Sequence, residues 1–260
     1  MSTVPMITNP FDLSGRVALV TGGGVGIGQA LAVALAQAGA DVAVTTYAHH
    51  DGTTGAQVQA AGRRFAAFQV DLSTQTSADL DALLDDVEAQ LGPVDILVNN
   101  AGIIRREDAH AFSDADWDDV IALNQTAVWR LCRAAGTRML GRGHGKIINV
   151  ASLLAFQGGV RVPSYTASKH AVAGLTKALA NEWASGGVNV NALAPGYIAT
   201  DNTAALRADP DRSRAILDRI PAGRWGRPED LAQPAVFLAS PASDYVNGHV
   251  LVVDGGWLAR

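Results

Sequence analysis

The chain has 260 residues, 48% of them hydrophobic, so it can bury a sizeable core and cannot be largely disordered. Its net charge of −5 argues against nucleic acid as a partner, because phosphate binding needs a concentrated basic face. No apolar run approaches the ~20 residues that span a bilayer, and residues 1–10 lack the pattern of a secretory signal. The single cysteine, Cys132, excludes an intrachain disulfide. We therefore expect a soluble, cytoplasmic protein that binds a small molecule rather than a membrane or nucleic acid.

Short apolar runs rich in β-branched residues recur along the chain and predict strands. They are Val17–Val20, Val42–Val44, Phe65–Val70, Ile96–Val98, Ile147–Val150, Val188–Leu193 and Val250–Val253. Most are apolar throughout, which is typical of a parallel sheet covered on both faces. Apolar residues at three- and four-residue spacing predict helices at roughly 26–38, 75–90, 114–138, 164–184 and 228–239. The alternation predicts an α/β fold: a Rossmann-like, doubly wound parallel sheet of about seven strands with helices on both faces.

No linker, low-complexity tract or internal repeat divides the sequence, so residues 1–260 are expected to form one domain. Residues 1–12 precede the first strand as an N-terminal extension. The one long stretch without a predicted strand is 196–227. An insertion of this length in a compact domain is usually functional, and we expect it to form a substrate loop that covers the site.

The first predicted strand runs directly into a glycine-rich turn and then an Ala/Leu-rich helix. Glycines there allow a sharp turn and a close approach to a pyrophosphate, which can sit on the free N–H groups of the helix N-terminus. The spacing is T-G-x-x-x-G-x-G and departs from the G-x-G-x-x-G dinucleotide fingerprint; its fixed positions are Thr21, Gly22, Gly26 and Gly28. A tight strand–helix connection is the alternative interpretation.

Tyr165 and Lys169 are four residues apart in a strongly helical segment, so both project from one helix face. A free tyrosine has a pKa near ~10, but a nearby ammonium would favour the phenolate and lower that pKa. Tyr165 could then exchange a proton with an alcohol or carbonyl oxygen. Ser152, just after the fifth predicted strand, could hold that oxygen. A surface pair on a helix is the alternative for Tyr165 and Lys169.

Together these motifs resemble the short-chain dehydrogenase/reductase family over essentially the whole chain. Asn124 completes the Asn–Ser–Tyr–Lys set that this family uses, in which the asparagine places a water in a proton relay. The resemblance implies an NAD(P)-dependent oxidoreductase acting on CH–OH groups, with catalytic residues Asn124, Ser152, Tyr165 and Lys169. It assigns the cofactor site to Gly22, Gly24, Gly26, Ile27, Gly28, Thr46, Asp71, Leu72, Asn99, Ala101, Gly102, Tyr165, Lys169, Pro195, Gly196, Ile198 and Thr200.

Three more distinctive stretches look like the sugar-acid branch of that family: 104–109, 156–165, and 207–209 with 220–226. This likeness implies interconversion of a secondary alcohol and a ketone on a sugar acid from uronate breakdown. Arginine binds carboxylates in bidentate fashion, so Arg161, four residues before Tyr165, is the first candidate for the substrate carboxylate. Arg105 and Arg106 are the other candidates for the carboxylate. Ser152 and Tyr165 complete the predicted substrate-binding residues. Each arginine could instead be a surface charge or an intersubunit salt bridge.

The position that usually distinguishes NAD from NADP, at the end of the second strand, is Thr46, which is neither an acid nor an arginine. The glycine turn contains no Lys or Arg for a 2′-phosphate, so we expect NAD, with NADP as the alternative. No metal is expected. The family resemblance also implies a homotetramer. Other readings are a reductase for another carbonyl, such as gluconate or a 3-oxoacyl thioester, and a non-catalytic dinucleotide sensor.

Overall fold

The computed structural model describes residues 9–48 and 52–260, which build one parallel sheet. Its strands are β1 Val17–Thr21, β2 Asp41–Thr46, β3 Phe65–Gln69, β4 Ile96–Asn99, β5 Gly145–Val150, β6 Val188–Pro195 and β7 Val250–Val253. The strands lie in the order β3-β2-β1-β4-β5-β6-β7, and every neighbouring pair is parallel. The predicted seven-stranded, doubly wound α/β fold is confirmed. Residues 1–8 of the predicted N-terminal extension lie outside the described part.

Helices cover both faces of this sheet. They are α1 Gly26–Gln37, α2 Thr53–Ala60, α3 Ser77–Leu91, α4 Asp114–Ile121, α5 Val128–Arg142, α6 Pro163–Trp183, α7 Ala204–Ala208, α8 Pro210–Arg219 and α9 Ala232–Ala239. Within the described residues, no helix is both long and apolar enough to cross a membrane. Apolar residues of α3, α5 and α6 pack on one face of the sheet, and those of α1, α2 and α9 pack on the other.

Strand β1 shows why its sequence is apolar throughout. Val17 and Leu19 join the core with α3, α5 and α6, whereas Ala18 and Val20 join the core with α1 and α9. All five residues of β1 are buried. Successive side chains of a strand point to opposite faces, so a strand covered on both sides needs apolar residues at every position.

The helix predictions hold except in three places. The predicted helix 114–138 contains a π-helical segment, Ala122–Ala127, between α4 and α5. Helix α2 was not predicted, because its segment is short and polar with little apolar periodicity. The strandless stretch 196–227 contains the short helices α7 and α8, whose side chains are largely exposed.

The sheet order places the site. From β1 the chain proceeds outward to β2 and β3, then returns to β4 on the other side of β1. The connections after β1 and β4 therefore diverge and leave a crevice at the carboxyl ends of these two strands. Ligands of open α/β sheets bind at this switch point. The glycine turn after β1 and the segment after β4 both lie there.

Candidate active site

The glycine turn after β1 is shaped to receive a phosphate. Gly22 and Gly26 have φ angles of 62° and 57°, a left-handed conformation that favours glycine. A Cβ added to Gly28 would overlap the Gly22 carbonyl oxygen. Helix α1 begins with no side-chain cap and no acidic residue in its first turn, so its first N–H groups are open to an anion. This arrangement fits the pyrophosphate of a dinucleotide.

Asn100 and Thr21 join the glycine turn to the end of β4. The Asn100 side-chain amide donates to the backbone oxygens of Thr21 (2.9 Å) and Gly22 (3.2 Å). The Thr21 hydroxyl oxygen accepts hydrogen bonds from the backbone N–H groups of Asn100 (2.9 Å) and Ala101 (3.0 Å). The two walls of the crevice are therefore braced against each other. Asn100 lies between the predicted cofactor residues Asn99 and Ala101 but was not itself among them.

The side chain of Asn99, a predicted cofactor residue, lies in the core. Its side chain is buried and donates to Asn149 Oδ1 (2.9 Å) and to Cys132 Sγ (3.3 Å). Burial raises the pKa of the Cys132 thiol to about 12, so the thiol stays neutral inside the core. The Asn99 side chain therefore braces β4 against β5 and α5 instead of facing the crevice. A cofactor contact from this residue would have to come from its backbone.

The remaining predicted cofactor residues lie at strand ends. Pro195 is the last residue of β6, and Gly196 N–H donates to Val253 O (2.9 Å). Thr200 lies beside the glycine turn, since its Cγ2 is the nearest atom to a Cβ built at Gly26. Asp71 follows β3, and its carboxylate accepts hydrogen bonds from the backbone N–H and the hydroxyl of Ser73. These local contacts are also typical of an aspartate that only stabilises a turn. The other predicted residues that follow or end strands are Thr46, Leu72, Ala101, Gly102 and Ile198, whereas Gly24 lies in the glycine turn and Ile27 in the first turn of α1.

The catalytic candidates meet on α6 and at the end of β5. Lys169 is buried, donates from Nζ to Val150 O (2.6 Å), and has Nζ 5.4 Å from the centroid of the Tyr165 ring. Ser152 interacts with the Tyr165 hydroxyl and lowers its pKa, and its Oγ accepts from Leu154 N–H (3.2 Å). Helix α6 starts at Pro163, two residues before Tyr165, because proline suits the first helical position. The sequence spacing thus places all three side chains together.

Burial sets the protonation of this group. It raises the pKa of Tyr165, while the Ser152 hydrogen bond and the positive charge of Arg106 partly oppose the rise. Burial also lowers the pKa of Lys169 to about 8. The sequence argument expected the lysine ammonium to lower the tyrosine pKa. Within the chain, the groups that lower it are Ser152 and Arg106.

Asn124 lies in the π-helical segment between α4 and α5 and is buried. Its Oδ1 accepts from Ile103 N–H, and its Nδ2 donates to Ile103 O, both at 2.9 Å. Nδ2 also reaches Ser168 Oγ on α6 (3.4 Å). π-Bulges inside α-helices are frequent at functional sites. Asn124 therefore fixes the start of the loop that follows β4 and connects it to the helix that carries Tyr165.

The three candidate arginines lie in different surroundings. Arg161 is half-exposed and pairs with Glu107 (3.0 Å) and Asp108 (2.9 Å). Arg105 pairs with Asp116 (3.4 Å) and Asp119 (3.2 Å) of α4. Arg106 is the one whose charge acts on Tyr165, and its guanidinium donates to Asn202 O (3.1 Å). The sequence ranked Arg161 first; in the structure its guanidinium is paired with two carboxylates, whereas the charge of Arg106 acts on Tyr165.

Thr54 on α2 is a further residue that the sequence did not reveal. Its hydroxyl lies 3.1 Å from Gly23 O and 3.2 Å from Gly24 O, and it accepts from Gln29 Nε2 (3.1 Å). It therefore supports the back of the glycine turn. The only signal was a pair of threonines after Gly52, a plausible helix start within a segment whose polarity suggested a loop.

Known proteins similar to this chain are oxidoreductases. A profile for enoyl-(acyl carrier protein) reductase matches residues 23–258. The 2-dehydro-3-deoxy-D-gluconate 5-dehydrogenase of Dickeya dadantii is 57% identical over 256 residues, covering 98% of this chain and 100% of that protein. The chain belongs to the short-chain dehydrogenase/reductase family. It is an NAD(P)-dependent oxidoreductase of that type.

Two solved structures are similar over almost the whole chain. One, from Agrobacterium tumefaciens with bound NADP, is assigned as a 2-deoxy-D-gluconate 3-dehydrogenase. It is 55% identical with a TM-score of 0.89, covering 97% of this chain and 100% of that one. Another, from Beutenbergia cavernae with NADP at low occupancy, is assigned as an NAD(P)-dependent gluconate 5-dehydrogenase. It is 50% identical with a TM-score of 0.92 and the same coverage.

Proposed function

We propose that this enzyme interconverts a secondary alcohol and a ketone on a sugar acid, with 2-dehydro-3-deoxy-D-gluconate and its 5-keto derivative as the substrate pair. The observation that carries the proposal is the 57% identity to the Dickeya dadantii enzyme over 98% of this chain. Arg106 is our candidate for the substrate carboxylate, because a guanidinium binds carboxylates well and its charge acts on Tyr165.

The side chains suggest how the reaction proceeds. Ser152 hydrogen-bonds the reacting oxygen and holds it against Tyr165. In the oxidation direction, Tyr165 accepts the hydroxyl proton; in reduction it donates one to the ketone oxygen. Lys169 and Asn124 complete the polar group, and Lys169 can hold a positive charge near the phenol below pH about 8. The nicotinamide, when bound, supplies or accepts the hydride.

The residues proposed to hold the cofactor are the glycine turn with the start of α1, and the strand-end groups around Asp71, Ala101 and Thr200. Thr46 at the end of β2 offers neither a carboxylate for the ribose nor a cation for a 2′-phosphate. The preference for NAD stays a prediction from the sequence. Two similar structures contain NADP, so every assay should compare NAD with NADP.

Gluconate is the second candidate substrate, since the Beutenbergia cavernae protein is assigned as a gluconate 5-dehydrogenase. It is also a sugar acid, so Arg106 serves it equally well. A 3-oxoacyl thioester is less well matched, because its reacting end carries no carboxylate. A dinucleotide sensor would not need Ser152, Tyr165 and Lys169 in contact.

The test is hydride transfer measured by nicotinamide absorbance, with oxidised NAD and NADP for the alcohol substrates and with the reduced cofactors for the ketone. The substrates are 2-dehydro-3-deoxy-D-gluconate, gluconate, a 3-oxoacyl thioester and the amide of the first acid. We expect the highest kcat/KM with 2-dehydro-3-deoxy-D-gluconate and a large loss with its amide. Equal kcat/KM for acid and amide would contradict the assignment of a carboxylate site.

We further propose a homotetramer, a cytoplasmic location and a substrate-loop role for residues 196–227. Trp117 on α4 and Trp129 and Leu140 on α5 are exposed apolar side chains, which suits burial between subunits. The sole cysteine, Cys132, is a free thiol in the core, which suits a reducing compartment. Light scattering at micromolar concentration tests the assembly, and a monomer would contradict it.

A further inference from the structure

Arg161 has an unusual backbone conformation. Among the residues described, it is the non-glycine residue with a positive φ angle, 63°. Arginine rarely adopts this left-handed region, and such conformations persist only where surrounding contacts impose them. Arg161 stands two residues before the start of α6 and four before Tyr165. The strain is therefore stored at the edge of the active site.

Arg161 is held in place by contacts with one short segment, Glu107 and Asp108. Its carbonyl oxygen accepts from Glu107 N–H (3.1 Å). Its Nη2 pairs with Glu107 (3.0 Å), and its Nε pairs with Asp108 (2.9 Å). Arg161 thus binds two consecutive residues, through its backbone carbonyl and its side chain.

Glu107 and Asp108 belong to a segment, residues 101–108, that has no regular secondary structure and includes Arg106. Its course depends on contacts with other parts of the chain. Asn124 fixes its beginning through Ile103, and Arg161 fixes its end through Glu107 and Asp108. Arg106 lies between these two anchors and reaches Asn202 O in the substrate loop. The direction of its guanidinium therefore depends on both.

We infer that Arg161 is a positioning residue for substrate specificity: by binding Glu107 and Asp108 it holds Arg106 where the guanidinium can bind the substrate carboxylate while the reacting oxygen lies against Tyr165. This inference rests on the proposed sugar-acid function. It differs from a direct role, because the Arg161 guanidinium is already engaged by two carboxylates and a substrate acid would have to displace them. Its pairing with Arg161 also explains why the acidic pair, Glu107 and Asp108, is tolerated beside an anion site.

The two roles predict opposite results when the acidic partners are neutralised. If Arg161 bound the substrate directly, Glu107→Gln with Asp108→Asn would free its guanidinium and leave KM for the acid unchanged or lower. If Arg161 positions the segment, the same double variant raises KM despite removing two negative charges. Arg161→Asn should have the same effect, and asparagine tolerates the left-handed conformation, so it removes the ion pairs without adding strain.

The experiment measures KM and kcat for the acid and its amide, together with hydrogen exchange of the peptide covering residues 103–113. For Arg161→Asn and for the double variant we expect KM for the acid to rise by about 3- to 10-fold, the range for two exposed ion pairs. We also expect kcat and the amide KM to be nearly constant and exchange of the peptide to be faster. Arg161→Lys keeps a positive charge, so its KM for the acid and its exchange rate should lie closer to those of the unmodified enzyme. The control Asp85→Asn, which removes an exposed ion pair between α3 and α5, should change none of these values.

Each failure has its own signature. Unchanged exchange in Arg161→Asn overturns the positioning role, whatever the substrate. A lower or constant acid KM in the double variant overturns it in favour of direct binding. Equal KM for acid and amide in the unmodified enzyme instead contradicts the proposed function itself.

Discussion

Lys169 Nζ lies 5.4 Å from the centroid of the Tyr165 ring and donates a 2.6 Å hydrogen bond to Val150 O at the end of β5. The lysine therefore connects the helix that carries the tyrosine to the strand end beside Ser152. Both side chains lie where burial penalises charge: the pKa of Tyr165 is raised and that of Lys169 is lowered to about 8. The site therefore favours a neutral Tyr165 phenol beside a Lys169 ammonium that loses its proton more easily than a free lysine.

Tyr165→Phe tests the proton transfer. The change removes one oxygen and keeps the ring, so the fold and cofactor affinity should persist, whereas kcat should fall by at least ~10²-fold, the scale of positioned acid–base catalysis. Stopped-flow single turnovers and a cofactor titration would measure the two quantities. Tyr245→Phe is the matched control, because Tyr245 is fully exposed. Turnover within a few-fold of the unmodified enzyme would falsify the role given to Tyr165.

Lys169→Met tests the lowered lysine pKa through stability. Folded Lys169 has a pKa of about 8 and an unfolded lysine one near 10.5, so between these values the unfolded chain binds more protons. Raising the pH through this window removes the proton from the unfolded chain and so stabilises the folded state. The free energy of unfolding of the unmodified enzyme, relative to Lys169→Met, should therefore rise between pH 8 and 10.5. Urea denaturation at several pH values measures it, and a flat difference would contradict the pKa.

The sequence was sufficient for the features that depend on local pattern. Short, largely apolar runs predicted all seven strands, and the four-residue spacing of Tyr165 and Lys169 placed them on one helix face. It was insufficient where distant segments decide the outcome. Helix α2 is polar but is held by the Thr54 contacts with the glycine turn, and nothing local signals the π-helical segment around Asn124. The choice among three arginines depends on the contact between Arg161 and Glu107, 54 residues apart.

Gly28→Ala tests the phosphate-binding turn. The added methyl would overlap the Gly22 carbonyl and crowd Asn100 Nδ2, so the turn must open and lose its fit to a pyrophosphate. We expect cofactor affinity to fall by roughly tenfold or more, since even ~1.4 kcal/mol of misfit has that effect. Fluorescence titration with NADH and NADPH measures it. Gly141→Ala is the control, because Gly141 lies in α5 with open space around it and alanine should cost nothing there.

Arg106→Gln tests the carboxylate site. Glutamine keeps much of the length and hydrogen-bonding capacity but removes the charge that acts on Tyr165. If the contact is equally strong in the ground and transition states, KM for the sugar acid should rise with little change in kcat. The rise should be roughly tenfold or more, the lower range for truncating a charge pair in a solvent-accessible pocket. The amide should lose almost nothing. Arg105→Gln is the comparison, because Arg105 is already paired with Asp116 and Asp119. A larger effect at Arg105 than at Arg106 would move the carboxylate to Arg105 and refute the assignment made here.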